Sequence, residues 1–256
     1  MLLLLLLSAC ASDGSGPDPT AGWPPEKLFQ EAKDSIASSN FQQAIKYFET
    51  LESRYPYGRY AQQAQLEVAY AYYRQGDQVQ AVAAAERFIK LHPNHPNVDY
   101  AYYLKGLAVF NDDLGFFGDW TGQDLAERDP KAAAEAFDVF RELITRYPDS
   151  KYAADAQARM TYLMNALATY EVRVAEYYMR RGAYLAAVNR AQQAITSYPN
   201  APARERALVL LVKGYAALNM KDLRDDADRV LQKNYPNSKY LSAEYQDGDQ
   251  PWWRFW

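Results

Sequence analysis

Two histidines, one cysteine and a few acid pairs are the residues of this chain best suited to chemistry, and their spacing supports little of it. His92 and His95 bracket a turn, His92-Pro93-Asn94-His95-Pro96. Two imidazoles three apart could hold a metal ion weakly, but a stable site needs further ligands and no third one is evident. Asp112-Asp113 and Asp225-Asp226 lie at helix ends and turns, where acids are common because their side chains bond to nearby backbone groups. No Gly-x-Ser-x-Gly elbow, phosphate loop or His-Glu-x-x-His helix is present. These residues argue against an enzyme and call for no cofactor.

Cys10 is different, because its neighbours point to modification. It is the only cysteine, and it follows an apolar run at residues 2–7 and the small residues Ser8 and Ala9. That run is too short to span a membrane and reads as an export signal, although no basic residue precedes it. Leu7-Ser8-Ala9-Cys10 resembles the bacterial lipobox, whose cysteine is lipidated and begins the mature chain. In such lipoproteins an aspartate at the next position favours inner-membrane retention, so Ala11 points to the outer membrane. Residues 1–9 then form a signal peptide, and residues 10–25 a lipidated tether rich in Gly, Ser, Pro and Asp. As a flexible chain this tether would reach roughly 20 Å. Pro24-Pro25-Glu26 suits a helix start, since proline is tolerated in the first turn.

The elements behind these residues are marked by proline. Tyr55-Pro56, His92-Pro93, Tyr147-Pro148, Tyr198-Pro199 and Tyr235-Pro236 recur at intervals of about 37, 55, 51 and 37 residues, near the period of helical solenoids. Twelve residues before the first four prolines lie Ala44, Ala81, Ala136 and Ala187. Eight before lie Phe48, Ala85, Phe140 and Ala191, and five before the five prolines lie Leu51, Phe88, Leu143, Ala194 and Leu231. Offsets of four and three place these on one helix face. Small residues at Ala32, Ala69 and Ala175 would let paired helices approach, with Val212 at the matching position of the last unit. Helix breaks are expected at Ser39-Asn40, Gly76-Asp77, Gly182-Ala183 and Asn219. Alanine, a large apolar residue, then proline resembles the tetratricopeptide repeat. In the fifth unit Arg224 replaces the alanine, which suits a polar cap.

The two long intervals differ in kind. Gly106 follows Ala69 at the regular step, so the extra residues of the third unit come later, in an insert at 111–130 with three glycines. The stretch 151–181 has neither Gly nor Pro and reads as one uninterrupted helix. The expected fold is therefore all-α, with about ten helices in five pairs over residues 26–240. An aromatic tail follows at 241–256. The net charge of −4 gives no basic surface for nucleic acid.

Several motifs resemble the BamD family, the tetratricopeptide lipoproteins of the outer-membrane β-barrel assembly machine. They are Gly115-Phe116-Phe117-Gly118-Asp119 with Arg128-Asp129-Pro130, Tyr177-Tyr178 with Arg181-Gly182-Ala183-Tyr184 and Val188-Asn189-Arg190, and Arg54-Tyr55-Pro56-Tyr57-Gly58. The resemblance implies a right-handed superhelical solenoid and a non-catalytic scaffold. The scaffold is lipid-anchored to the outer membrane and faces the periplasm. The implied partners are BamA, unfolded outer-membrane proteins and, in some lineages, a BamC-like lipoprotein. Arg190 matches a family arginine at the BamA interface, with Asn189 and Tyr184 in the same motif. Client engagement is implied for the N-terminal repeats. The periplasmic repeat protein of the Tol–Pal system is the alternative. That family begins with a coiled coil, whereas no apolar heptads precede Phe29, and it lacks the insert.

Tyrosines crowd the N-terminal repeats, and tyrosine recurs at binding surfaces because it joins a large apolar body to a hydroxyl. Tyr57, Tyr70, Tyr73 and Tyr103 are the candidates for a client groove. Phe116, Phe117 and Trp120 in the acidic insert either fold onto the scaffold or bind a partner. The tail Pro251-Trp252-Trp253-Arg254-Phe255-Trp256 is expected to cap the last helix, to contact BamA or the membrane interface, or to occupy the client groove as a mimic of a client's aromatic end.

Overall fold

The computed structural model describes residues 18–110 and 130–241. Cys10, Phe116, Phe117, Trp120 and the aromatic tail lie outside the described residues. Ten α-helices and one short 3-10 turn make up the regular structure among the described residues. They are α1 Pro25–Ala37, α2 Phe41–Arg54, α3 Arg59–Gln75, α4 Gln78–Leu91, α5 Val98–Phe110, α6 Pro130–Arg146, α7 Ala153–Arg180, α8 Tyr184–Ser197, α9 Arg204–Ala217 and α10 Lys221–Asn234. The chain is thus the expected all-α stack of five helix pairs. The long helix is α7, with 28 residues, about 42 Å at 1.5 Å per residue.

Proline sets the boundary between pairs. A residue before proline is pushed out of the helical region. Tyr55, His92, Tyr198 and Tyr235 accordingly have φ between −128° and −134° and ψ between 56° and 66°. Their N–H groups still close the last helical turn, as does that of Tyr147. In the first, second, fourth and fifth pairs a different device ends the first helix. Ser39, Gly76, Gly182 and Asn219 all have φ between 59° and 84°. The N–H of the next residue then reaches back to a carbonyl five residues earlier, as from Asn40 to Ser35 and from Asp77 to Tyr72. This left-handed closure satisfies carbonyls that a helix end leaves free. Asn40 and Asp77 also cap the following helices by accepting from the N–H groups of Gln43 and Gln80.

The repeated positions form the core. Ala44, Ala81, Ala136 and Ala187 are wholly buried, and so are Phe88, Phe140, Leu51 and Leu143. Ala32, Ala69 and Ala175 are buried as well. The third unit uses Gly106, where a Cβ would lie 2.5 Å from the ring of Phe140. The fifth unit departs from the period. Val212 is only partly buried, and the close approach falls at Gly214, where a Cβ would meet Val188 at 2.5 Å. Ala227 and Leu231 carry the buried face of α10, while Arg224 is half-exposed.

Every helix packs on its neighbours in sequence, and α1 with α3, α3 with α5, and α7 with α9 also touch. The odd-numbered helices therefore form the inner layer and the even-numbered ones the outer. Between α5 and α7 the inner layer is bridged by side chains instead of close backbones.

Candidate interaction surfaces

The α5–α7 bridge is aromatic. Tyr103 stacks on Tyr152 with ring centroids 4.6 Å apart and planes 15° from parallel. Tyr100 lies 5.3 Å from the same Tyr152 ring, and Phe110 meets Tyr162 edge-on at 6.0 Å. The Tyr103 hydroxyl donates to Asp155 Oδ2 at 2.7 Å, and Arg159 Nε donates to the same oxygen at 2.6 Å. Burial and the Asp155 carboxylate push the Tyr103 phenol up to about 12. Burial works against ionisation of Asp155, but the bonds from Arg159 and Tyr103 outweigh it and hold the carboxyl below its usual value. Arg159 also lies 5.4 Å from the Phe110 ring, so cation and aromatics share one layer.

Of the proposed groove tyrosines, three belong to this wall and one does not. Tyr70 and Tyr73 on α3 are partly buried against a cluster of Ala69, Ala85 and Leu104 that Tyr100 also joins. Tyr103 is partly buried beside them on α5. Tyr57 stands apart in the turn between α2 and α3 and is 91% exposed. The neighbouring tyrosines face elsewhere. Tyr72 donates to Glu49 on α2 at 2.8 Å, and Tyr102 is buried with its hydroxyl 3.3 Å from Glu142 on α6.

The second surface surrounds Arg190. Its Nη1 lies 3.1 Å and 3.4 Å from the two carboxylate oxygens of Glu171 on α7. The two side chains are unequal, Arg190 being 44% exposed and Glu171 only 13%. Hydrogen bonding to Glu171 raises the Arg190 pKa, so the charge is permanent. Among the described residues its Nε and Nη2 make no hydrogen bond. One edge of the guanidinium fork is thus anchored and the other remains open. Asn189 beside it is exposed, and Tyr184 opens α8 at 36% exposure. Tyr177 and Leu185 are also exposed where α7 ends and α8 begins.

Sequence reasoning missed Glu171, Tyr152, Asp155 and Arg159. Glu171 meets Arg190 from 19 residues away, and Tyr152, Asp155 and Arg159 meet α5 from about 50 residues away, so no local pattern announces these contacts; only the Asp155–Arg159 pair, four residues apart on α7, is local. Among the described residues, no group of three or more His, Cys, Asp and Glu side chains is placed to hold a metal ion. His92 is bonded to Gln65 at 2.6 Å, and His95 accepts from the N–H of Asn97.

A family profile described as "Outer membrane lipoprotein" (YfiO) matches residues 22–231. The outer membrane protein assembly factor BamD of Neisseria meningitidis serogroup A is 50% identical over 255 residues, covering 98% of this chain and 96% of its own. The chain belongs to the BamD family. The Vibrio cholerae BamD is 38% identical over 91% of this chain and 96% of its own, and the Xylella fastidiosa (strain Temecula1) BamD is 40% identical over 87% and 76%. The family is thus one of outer-membrane assembly factors, and the match covers the described pairs through most of α10. Among solved structures, that of MamA superposes over 87% of this chain with a TM-score of 0.39 and 18% identity, too loosely to bear on function.

Proposed function

We propose that this protein is a non-catalytic scaffold that docks on BamA and engages unfolded β-barrel proteins before their insertion. The observation that carries the reading is the near full-length match to BamD assembly factors. Membership of that family disfavours the Tol–Pal alternative. The Arg190 surface supports docking in particular. A guanidinium with one edge anchored and one open can take a partner carboxylate bidentately at little further ordering cost. Asn189 and Tyr184 would flank that contact.

The inner wall supports client binding. Tyr70, Tyr73 and Tyr103 offer partly exposed aromatic surface to an extended segment, and Tyr57 offers a further ring at the α2–α3 turn. Cys10 would carry the lipid that holds the chain at the outer membrane, with the solenoid in the periplasm. A BamC-like lipoprotein is a further partner in this reading.

Detergent extraction of envelopes followed by affinity isolation tests the proposal. Recovery of BamA in stoichiometric amount is expected. Consistent absence of BamA, with Tol–Pal components present instead, would sink it. Cys10→Ser should abolish lipid labelling, and labelling that persists defeats the anchor.

A further inference from the structure

Residues 18–24 precede the first helix, yet they are fastened to the end of the second. Asp18 Oδ1 accepts from the Thr20 N–H at 2.9 Å and from the Thr20 hydroxyl at 2.7 Å, which folds the segment into a tight turn. Arg54, the last residue of α2, closes on that turn. Its Nη2 bonds Asp18 Oδ2 and lies 2.9 Å from Thr20 Oγ1, while Nη1 reaches the Thr20 carbonyl at 2.5 Å. The planar fork of arginine suits these acceptors in a way that a lysine ammonium would not. Thr20 is buried at 5% exposure, unusual for a hydroxyl side chain so near the start of a chain. The next residue of the chain adds a second fastening, because the Tyr55 hydroxyl donates to the Trp23 carbonyl at 2.9 Å. The Trp23 ring lies 5.8 Å from that of Tyr47 on α2, with the Lys27 ammonium 4.0 Å from its centroid.

We propose that residues 18–24 are a latch, closed by Arg54, that sets how far the solenoid can stand from the bilayer and turns the start of α1 and the end of α2 towards the lipid surface. This rests on the reading that Cys10 is lipidated. Seven residues separate Cys10 from Asp18. Eight backbone steps span at most roughly 26–29 Å by any path. With the latch open, the fifteen steps to Pro25 would span at most roughly 50–54 Å. The latch therefore halves the greatest reach. It also fixes where the tether leaves the folded part, at the edge carrying the turns between repeats. The partner is the phospholipid surface itself. Acidic Glu26 and basic Lys27 lie side by side and exposed near this edge, so no headgroup charge is singled out.

The test uses the full acylated chain in vesicles of phosphatidylethanolamine and phosphatidylglycerol that contain an acceptor-labelled lipid. A donor dye is placed at Gln63→Cys, an exposed position near the start of α3. Arg54→Ala and Asp18→Ala, each combined with Tyr55→Phe to remove the second fastening at Trp23, open the latch from its two sides. A third protein has an intact latch and seven Gly and Ser residues inserted after Pro17. Each opened variant is expected to lose energy transfer to the level of the insertion protein, with helical circular dichroism unchanged. Undiminished transfer in either opened variant, while the insertion lowers it, overturns the proposal. Undiminished transfer in all three shows that other contacts hold the solenoid at the surface and overturns it too. Flotation with the vesicles and the mass of the Cys10 peptide report the anchor separately. If Cys10 carries no lipid, the anchor reading fails, visibly distinct from a failed latch, and the proposal falls with it.

Discussion

Arg190 and Glu171 share an ion pair across the α7–α8 turn, Nη1 to Oε2 at 3.1 Å, in which the acid is nearly buried and the base is not. An acid that is buried and paired cannot move to water without leaving a cation behind. Glu171 therefore acts as a fixed post for Arg190. Arg190→Glu sets two carboxylates against each other and removes the open fork edge. Stability should fall by about 1–3 kcal/mol, more than for a surface pair, because the largely buried Glu171 loses its cation and faces a second carboxylate. Capture of BamA should fall by about 2–5 kcal/mol, the usual cost of breaking an interfacial charge pair, roughly 30-fold or more. Pull-down with purified BamA checks this, and unaltered capture removes Arg190 from the interface. Glu171→Gln should weaken capture less, since it loosens Arg190 without removing it.

Gly106 is fixed by contact rather than by backbone shape. A Cβ there would fall within 2.9 Å of three atoms of the Phe140 ring, which is itself wholly buried. Overpacking of this kind costs about 1–3 kcal/mol, against about 1 kcal/mol gained from alanine's helix propensity. Gly106→Ala should lower stability by up to about 2 kcal/mol in urea unfolding. A raised midpoint would mean that the α5–α6 contact is looser than its geometry indicates.

Ser39 occupies the left-handed position that Gly76 and Gly182 fill in other pairs. An L-residue there is disfavoured by about 1–2 kcal/mol. Glycine relieves this but gains about 0.4–1 kcal/mol of unfolded-state freedom. Ser39→Gly should therefore stabilise by about 0.5–1 kcal/mol, seen as a higher melting temperature. Gly76→Ser should do the reverse, and a melting temperature lowered by Ser39→Gly contradicts the account.

His95 is tuned to stay neutral. Burial, then the nearby His92, lowers its pKa below 6.5, and its neutral Nδ1 accepts the Asn97 N–H at 3.1 Å just before α5. The Phe88 ring lies 5.1 Å away on α4 and the His92 ring 6.4 Å away, and Asp99, Arg146 and Asp149 line the same shallow pocket as His95. A depressed histidine pKa means that the unfolded chain binds its proton first. The stabilising contribution is complete above pH 6.5 and is lost as pH falls from there through the folded value. Thermal melts from pH 7.5 to 5 should show a stability decline that His95→Gln reduces. An identical pH profile in the variant would exclude His95 as a source.

Much of the fold was legible because its signals are local. The prolines, the in-register alanines and the left-handed breaks each act within a few residues of themselves, and Ser39, Gly76, Gly182 and Asn219 fall where the sequence placed them. The fifth unit was harder. Its closest helix contact needed the residue with no Cβ facing Val188, which is Gly214 and not the in-register Val212.

The sequence by itself determined the family, the helix pairing and the identity of the candidate contact residues. Those follow from composition and spacing that a chain carries before it folds. Only the tertiary structure decided that Arg190 is half-anchored by Glu171, that Tyr103 shares a layer with Tyr152 while Tyr57 stands alone, and that residues 18–24 are fastened to the end of α2. Each depends on side chains meeting between helices or across the packed start of the chain. Their separation along the chain is set by the stacking of whole pairs, which no short window of sequence contains.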